Sequence, residues 1–211
     1  MDLVFATGNA GKLREAAEIL GPAYRVLSPA YVGLPGFDVE ETGTTFRENS
    51  LLKARALWQA CGLPCFADDS GLEVDALGGA PGIYSARYAS DHNFASNIDR
   101  LLAELCALEV EAKAGTASER RATPATFPGA ARFRCVVTLI LSDGKPRFFD
   151  GSCEGRIARE RHGAGGFGYD PVFVPDLYPN LTMAELSEDA KNAISHRGVA
   201  LRLMSSWLAT R

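Results

Sequence analysis

An excess of basic residues, a long apolar run and a cluster of metal-binding Cys and His are all missing from this chain of 211 residues. Lys and Arg number 22 against 26 Asp and Glu, a formal charge of −4. Net charge therefore gives no support for binding a DNA or RNA polymer or an anionic membrane, and any nucleic-acid connection is expected through small nucleotides. No apolar stretch approaches the ~20 residues that cross a bilayer. The first residues, Met1-Asp2-Leu3-Val4-Phe5-Ala6-Thr7, lack the basic start and long apolar core of a signal peptide, so a cytoplasmic location is expected. The five cysteines, Cys61, Cys65, Cys106, Cys135 and Cys153, are odd in number and scattered, and His92, His162 and His196 lie far from them. Reduced thiols are expected rather than disulfides or a structural zinc site.

What is present is the composition of a globular protein, 46% apolar and 23% charged. Residues 3 to 7 form an apolar run, and Leu13, Ala16, Ala17, Ile19 and Leu20 then recur at helical spacing up to Gly21-Pro22. With a second strand at residues 24 to 28, the chain opens as a β-α-β unit. Thr45 and Glu48 have capping-box spacing ahead of an apolar stripe, which predicts a helix from about 46 to 61. The run Pro64-Cys65-Phe66-Ala67 stops at Asp68-Asp69-Ser70-Gly71, so the acidic pair is expected at a strand end, followed by alternation in residues 72 to 75. A helix is predicted over residues 94 to 108, strands over 132 to 141 and 146 to 150 with 155 to 158 extending the sheet, and helices near 183 to 192 and 197 to 208. Residues 113 to 131, rich in Ala, Thr, Gly, Pro and Arg, read as a mobile surface loop with no function assigned.

Chemistry concentrates in a few segments. The loop Thr7-Gly8-Asn9-Ala10-Gly11-Lys12 joins a strand to a helix start, where backbone amides and the helix dipole favour an anion such as phosphate. It is not a P-loop, since only two residues separate the glycines and Leu13 follows the lysine; alone it also suits a plain turn. Glu40-Glu41 and Asp68-Asp69 supply four carboxylates, and Mg²⁺ favours one or two carboxylates completed by water and phosphate oxygens. Each pair by itself also suits an exposed acidic turn, so the inference comes from their combination. Lys53 follows Asn49 by four residues on one helical face. Gly165-Gly166-Phe167-Gly168-Tyr169-Asp170 can present an aromatic ring on a bent backbone for stacking on a base, or form a bulge with core aromatics. Ser195 can cap the last helix, whose first residues are His196 and Arg197.

In this order, the segments resemble the Ham1/inosine triphosphate pyrophosphatase family, in particular bacterial members acting on dITP and XTP, from about residue 2 to 205. The carrying segments are residues 7–12, Glu40-Glu41-Thr42-Gly43, 46–53, Ala67-Asp68-Asp69-Ser70-Gly71-Leu72, Gly78-Gly79-Ala80-Pro81-Gly82, 165–170 and Ser195-His196-Arg197-Gly198.

The resemblance implies a mixed-sheet α/β fold of two lobes in one domain, a site in the cleft between them, a homodimer, and hydrolysis of ITP, dITP and XTP to monophosphate and pyrophosphate with Mg²⁺. It further implies that Thr7, Gly8, Asn9, Ala10, Gly11, Lys12 and Lys53 hold the triphosphate. Asp69 would be general base and metal ligand, with Glu41, or else Glu40, as the second carboxylate. Ser70 would touch substrate, while Phe167, Gly168, Tyr169, Asp170, Lys191, His196 and Arg197 would recognise the nucleoside. Two other readings use the same residues: a nucleotide phosphoryl transferase, disfavoured by the missing P-loop spacing, and a nucleotide sensor without turnover, disfavoured by the intact carboxylate pairs.

Overall fold

The computed structural model describes residues 1–114 and 127–210. The strands are β1 (Asp2–Phe5), β2 (Arg25–Leu27), β3 (Cys65–Val74), β4 (Ala130–Ile140), β5 (Pro146–Ile157) and β6 (Phe173–Pro175). The α-helices are α1 (Ala10–Leu20), α2 (Phe46–Cys61), α3 (Phe94–Ala114), α4 (Glu188–Ile194) and α5 (His196–Ala209). The strands form one mixed sheet in the order β2-β1-β3-β4-β5-β6. β1 runs parallel to β2, with Leu3 opposite Val26, and parallel to β3, with Phe5 opposite Phe66, whereas β5 and β6 are antiparallel.

The chain forms two compact units. The first comprises residues 1–70, 134–152 and those from 192 onward, and the second residues 71–133 and 153–191, as far as they are described. Strands β3, β4 and β5 each contribute to both.

In the first unit the pleat sorts side chains between two clusters, because successive residues of a strand point to opposite faces. Leu3, Phe5, Phe66, Cys135, Val137 and Leu139 bury one face with Ala16 and Leu20 of α1 and Ala200, Leu201, Met204 and Leu208 of α5. Phe5 and Phe66 stack there with centroids 4.3 Å apart. Val4, Ala6, Cys65, Ala67 and Ile140 bury the other face with Ala54 and Leu57 of α2. Helix α2 starts where the capping spacing placed it: the Thr45 hydroxyl accepts from the Glu48 amide at 3.1 Å. The reciprocal bond, however, goes one residue further back, from the Thr44 amide to Glu48 Oε2 at 2.7 Å.

The second unit is held by polar as well as apolar contacts. Phe133 packs on Phe173, the Tyr169 hydroxyl donates to the Ser85 carbonyl at 3.0 Å, and Arg132 donates to both Asp75 and Glu154. The buried Asn97 side chain accepts from the Ala89 and Ser90 amides and donates to the Ala86 carbonyl. Thr182 and Glu185 form a complete capping box.

Several expectations change. The acidic pair is not at a strand end: β3 passes through Asp68, Asp69, Ser70 and Gly71 without a break, because the alternation of facing sides continues across the polar residues. Helix α3 extends to Ala114 and β4 begins at Ala130, so both ends of the expected 113–131 loop are regular structure, and residues 115–126 lie outside the described part. The helix expected at 183 to 192 is a 3₁₀ turn, Met183–Glu185, followed by α4. All five cysteines are free thiols, and among the described residues no helix is long and apolar enough to cross a membrane.

Leu57 is fully buried between α2 and the sheet. Leu57→Ala is expected to lower the free energy of unfolding by ~3 kcal/mol, the usual cost of emptying a packed leucine site. Urea unfolding measures this, and a loss under ~1 kcal/mol would mean that α2 is not packed as described.

Candidate active site

The continuity of β3 makes Asp68 and Asp69 neighbours in sequence that face different surroundings. Asp68 shares the face of Phe66, toward α1 and α5. Its Oδ1 accepts from Lys12 Nζ at 3.0 Å and its Oδ2 from Arg197 Nε at 2.8 Å. Arg197, only 1% exposed, also donates to Glu15 Oε2 at 2.5 Å and to Ser70 Oγ at 3.2 Å. Ser70 lies two residues beyond Asp68 and therefore on the same face. Two cations and two carboxylates thus neutralise each other inside the unit. Burial alone would push the Asp68 carboxyl up, but Lys12, Arg197 and Lys53 outweigh it and hold the group well below the ordinary carboxylate range. By the same balance burial would lower Arg197, and Asp68 and Glu15 raise it instead.

Asp69 shares the face of Ala67, toward α2. There Lys53 Nζ lies 2.5 Å from Glu41 Oε1 and 3.4 Å from Asp69 Oδ1. Asp69 Oδ2 is buried and has no hydrogen-bond partner among the described residues. Burial pushes the Asp69 carboxyl up to about 6; nearby Lys53 opposes this, and Glu41 adds to it. Burial would lower Lys53, but Asp69, Asp68 and Glu41 together raise it. Of the two adjacent glutamates Glu41 is the partly buried one beside Lys53, and Glu40 is exposed.

This donor set suits a hard divalent cation. Two carboxylates stand around one lysine ammonium, and one carboxylate oxygen is desolvated and unbonded, a state that a cation would relieve. Among the described residues no three His, Cys, Asp or Glu side chains form a ready-made metal cage. That is compatible with Mg²⁺, which keeps several waters and binds through one or two carboxylates plus substrate phosphates.

The loop at residues 7–12 is more closed than its sequence suggests. Asn9 caps α1, its Oδ1 accepting from the Gly11 and Lys12 amides at 2.8 and 3.1 Å, while Thr7 Oγ1 accepts from the Asn9 amide. The amides expected to be open to an anion are therefore partly used by the cap itself. The Gly8 and Ala10 amides remain without a bond among the described residues. A cavity of about 270 Å³ opens beside the loop, lined by Thr7, Gly8, Asn9, Ala10, Leu13 and residues from 28 to 37.

In the second unit, Asp170 organises residues 166–170. Its Oδ2 accepts from the Phe167 amide at 2.8 Å and from Lys191 Nζ at 2.6 Å. Gly166 has φ +72°, and a Cβ there would come within 2.1 Å of Asp170 Oδ2, so both the conformation and the space require glycine. The Lys191 ammonium lies 4.5 Å from the centroid of the partly exposed Phe167 ring. Tyr169 is buried in the core, whereas residues 165–170 form a turn between β5 and β6 rather than a bulge within a strand. In the first unit Ser195 caps α5, accepting from the Gly198 amide at 3.0 Å, and His196 is partly buried in the first turn.

The structure therefore brings Lys12, Asp68, Ser70 and Arg197 together on one face of β3 and Glu41, Lys53 and Asp69 on the other, with Phe167, Asp170 and Lys191 grouped in the second unit. Sequence reasoning missed Glu15. Its signal was a carboxylate three residues after Lys12, beside Ala16 in the apolar periodicity of α1, a position that is almost never charged unless paired.

The model of the Ham1 family matches residues 3–207. The chain is 47% identical over 216 residues to the dITP/XTP pyrophosphatase of Thioalkalivibrio sulfidiphilus, covering 100% of both chains. It is 46% identical over 207 residues to that of Streptomyces coelicolor, covering 96% of this chain and 94% of the other. The solved Ham1 protein of Staphylococcus aureus is similar with a TM-score of 0.79 and 40% identity, covering 100% of this chain and 99% of its own.

The Asp69 environment predicts a pH dependence for the metal-free protein. Its carboxyl sits at about 6 when folded, against about 4 when unfolded. The protonated form is thus favoured by folding, and its contribution is complete below pH ~4 and lost as pH rises through 6. Asp69→Asn removes this loss, so the variant should gain on the wild type between pH 4 and 7, by about 3 kcal/mol at most. Chemical unfolding across that range in chelator checks it, and a constant difference between the two proteins would contradict the account.

Proposed function

The chain belongs to the Ham1 family, and from that premise we propose that it removes deaminated purine nucleotides, ITP, dITP and XTP, by hydrolysis to monophosphate and pyrophosphate. It is a hydrolase of the dITP/XTP pyrophosphatase kind. The observation that carries the residue assignment is Asp69: a buried carboxylate with one unbonded oxygen, beside Glu41 and Lys53.

In this reading Glu41 and Asp69 hold Mg²⁺, which when bound offsets phosphate charge and favours ionised water as nucleophile. Lys53 balances the two carboxylates in the free protein and contributes positive charge toward the triphosphate. Residues 7–12 receive phosphate oxygens at the start of α1, using the unbonded amides of Gly8 and Ala10 and the helix dipole. Lys12 stays tied to Asp68, so its ammonium is directed without being left uncompensated. Asp69 takes the proton of the attacking water as pyrophosphate departs from the α-phosphorus. Burial, by raising its carboxyl toward neutrality, makes it a stronger base than an exposed aspartate.

Phe167 is assigned to stacking on the base, with Gly168, Asp170 and Lys191 beside it in the second unit; Tyr169, buried in the core, supports that segment, and His196 is assigned to the nucleoside by the resemblance alone. Stacking alone does not distinguish purines, since all offer a similar face. Discrimination between a 6-oxo and a 6-amino group requires donors, and Lys191 and His196 are the nearest candidates in kind. Arg197 was assigned to the nucleoside by resemblance. Its bonds to Asp68, Glu15 and Ser70 favour a supporting role, as a guanidinium that keeps this face of β3 neutral and ordered. Cytoplasmic location, a homodimer and the absence of a polymeric nucleic-acid or membrane partner complete the proposal, supported by the resemblance and by the absence of a basic excess.

ITP with Mg²⁺ should yield IMP and pyrophosphate, and activity should vanish in excess chelator. Orthophosphate, a phosphorylated acceptor or binding without turnover would instead indicate another class. Asp69→Asn should lower turnover at least ~100-fold, the usual scale for losing a general base. ITP should be preferred over ATP by at least ~100-fold in kcat/KM, because an amino group where an acceptor is needed leaves buried donors unpaired. Equal rates on ATP and ITP would exclude the base-recognition part of the proposal.

A further inference from the structure

Asn49 is fully buried in α2, one turn before Lys53 on the same helical face. Its Oδ1 accepts from the Gly43 amide at 2.8 Å, while its Nδ2 has no hydrogen-bond partner among the described residues. A buried donor without an acceptor is unfavourable. A position serving packing alone would be better filled by an apolar side chain, so the amide is explained by what its oxygen does.

That oxygen belongs to a clamp. A Cβ on Gly43 would lie 2.6 Å from Asn49 Oδ1, 2.7 Å from Glu48 Cβ and 3.1 Å from the Asn49 amide nitrogen, so only glycine permits the approach. The next residue, Thr44, gives both its amide and its hydroxyl to Glu48 Oε2, at 2.7 and 2.9 Å. Thr45 then caps the helix. Residues 43–45 are thus tied in succession to the first turn of α2. Two residues upstream stands Glu41, and its carboxylate meets Lys53 from the next turn of the same helix.

We infer that Asn49 is a positioning residue for the divalent-cation site: by holding Gly43 it fixes the segment that carries Glu41, so that this carboxylate stands beside Asp69 before any cation arrives. The inference rests on the reading of Glu41 and Asp69 as the cation-binding pair. Without the clamp, the segment that carries Glu41 keeps the bonds of Thr44 and Thr45 and the Glu41–Lys53 pair but loses its tie at Gly43, and binding a cation, which competes with Lys53 for Glu41, must order it. Support of this kind for a ligating carboxylate is worth 10- to 100-fold in metal affinity in general.

The test is Mn²⁺ titration of the nucleotide-free protein, with free Mn²⁺ followed by electron paramagnetic resonance, together with hydrogen exchange of the Gly43 amide. Asn49→Ala should weaken Mn²⁺ binding by ~10-fold or more and expose the Gly43 amide to exchange. Gly43→Ala, which disrupts the same contact from its other side, should weaken binding likewise. Asn49→Asp keeps an oxygen for the Gly43 amide and should restore both protection and affinity. All are compared at a temperature where each variant is folded, so that a role in packing alone would alter thermal stability and leave affinity unmoved. Wild-type affinity in Asn49→Ala, with the Gly43 amide unprotected, would overturn the inference while leaving the cation site intact. Failure of the wild type to bind Mn²⁺ would overturn the cation-site reading itself, and the inference with it.

Discussion

A strand cannot point two successive side chains the same way, and the site depends on that constraint. Asp68 and Asp69 are adjacent, yet the pleat of β3 directs one to α1 and α5 and the other to α2. On the first face two cations meet two carboxylates and the charges cancel; on the second, two carboxylates share one lysine. The first arrangement is closed. The second has a surplus of negative charge and an unbonded oxygen. The same elements that make the core, α1, α2 and α5, carry the counter-charges, so packing and electrostatics are set together.

The cost of the arrangement is concentrated at Asp69. Burying a carboxylate with incomplete hydrogen bonding opposes its ionisation, which is why the group is pushed up to about 6 while its neighbour is pulled down. Perturbed carboxyl groups of this kind cluster at functional sites because the environment that disfavours the free ion favours a proton or a cation in its place. Membership of the Ham1 family supplies the reaction class. The geometry gives the proposed division of labour a reason: a residue already bonded to Arg197 and Lys12 has little left to offer a metal or a water, whereas Asp69 keeps an unbonded oxygen.

Much of this was legible in the sequence, and what was not has physical causes. The opening β-α-β unit and the bounds of α2 followed from apolar periodicity and capping residues. The strand through Asp68 and Asp69 is hidden in the sequence because charged residues interrupt an apolar run, and their partners on other elements, Lys12, Lys53 and Arg197, make their burial tolerable. β6 goes unseen because three residues, the last of them Pro175, carry no periodicity. That Glu41, the preferred one of the two adjacent glutamates, lies beside Lys53 follows only from the fold. The buried partners of Arg197 could not be read from the sequence, since Glu15 and Asp68 lie 182 and 129 positions away.

The central claim, that adjacent aspartates perform separate tasks, is tested most directly by equilibrium unfolding of Asp68→Asn with and without saturating Mn²⁺. Removing this carboxylate takes from the buried Arg197 its ion pair with Asp68, and breaking a buried pair commonly costs ~3 kcal/mol or more. The account predicts a loss of that order in metal-free buffer, with the increment of stability contributed by Mn²⁺ unchanged from the wild type, because ligand stabilisation reports affinity for the folded state. Unchanged stability without metal, combined with loss of the Mn²⁺ increment, would identify Asp68 as the ligand and contradict the account.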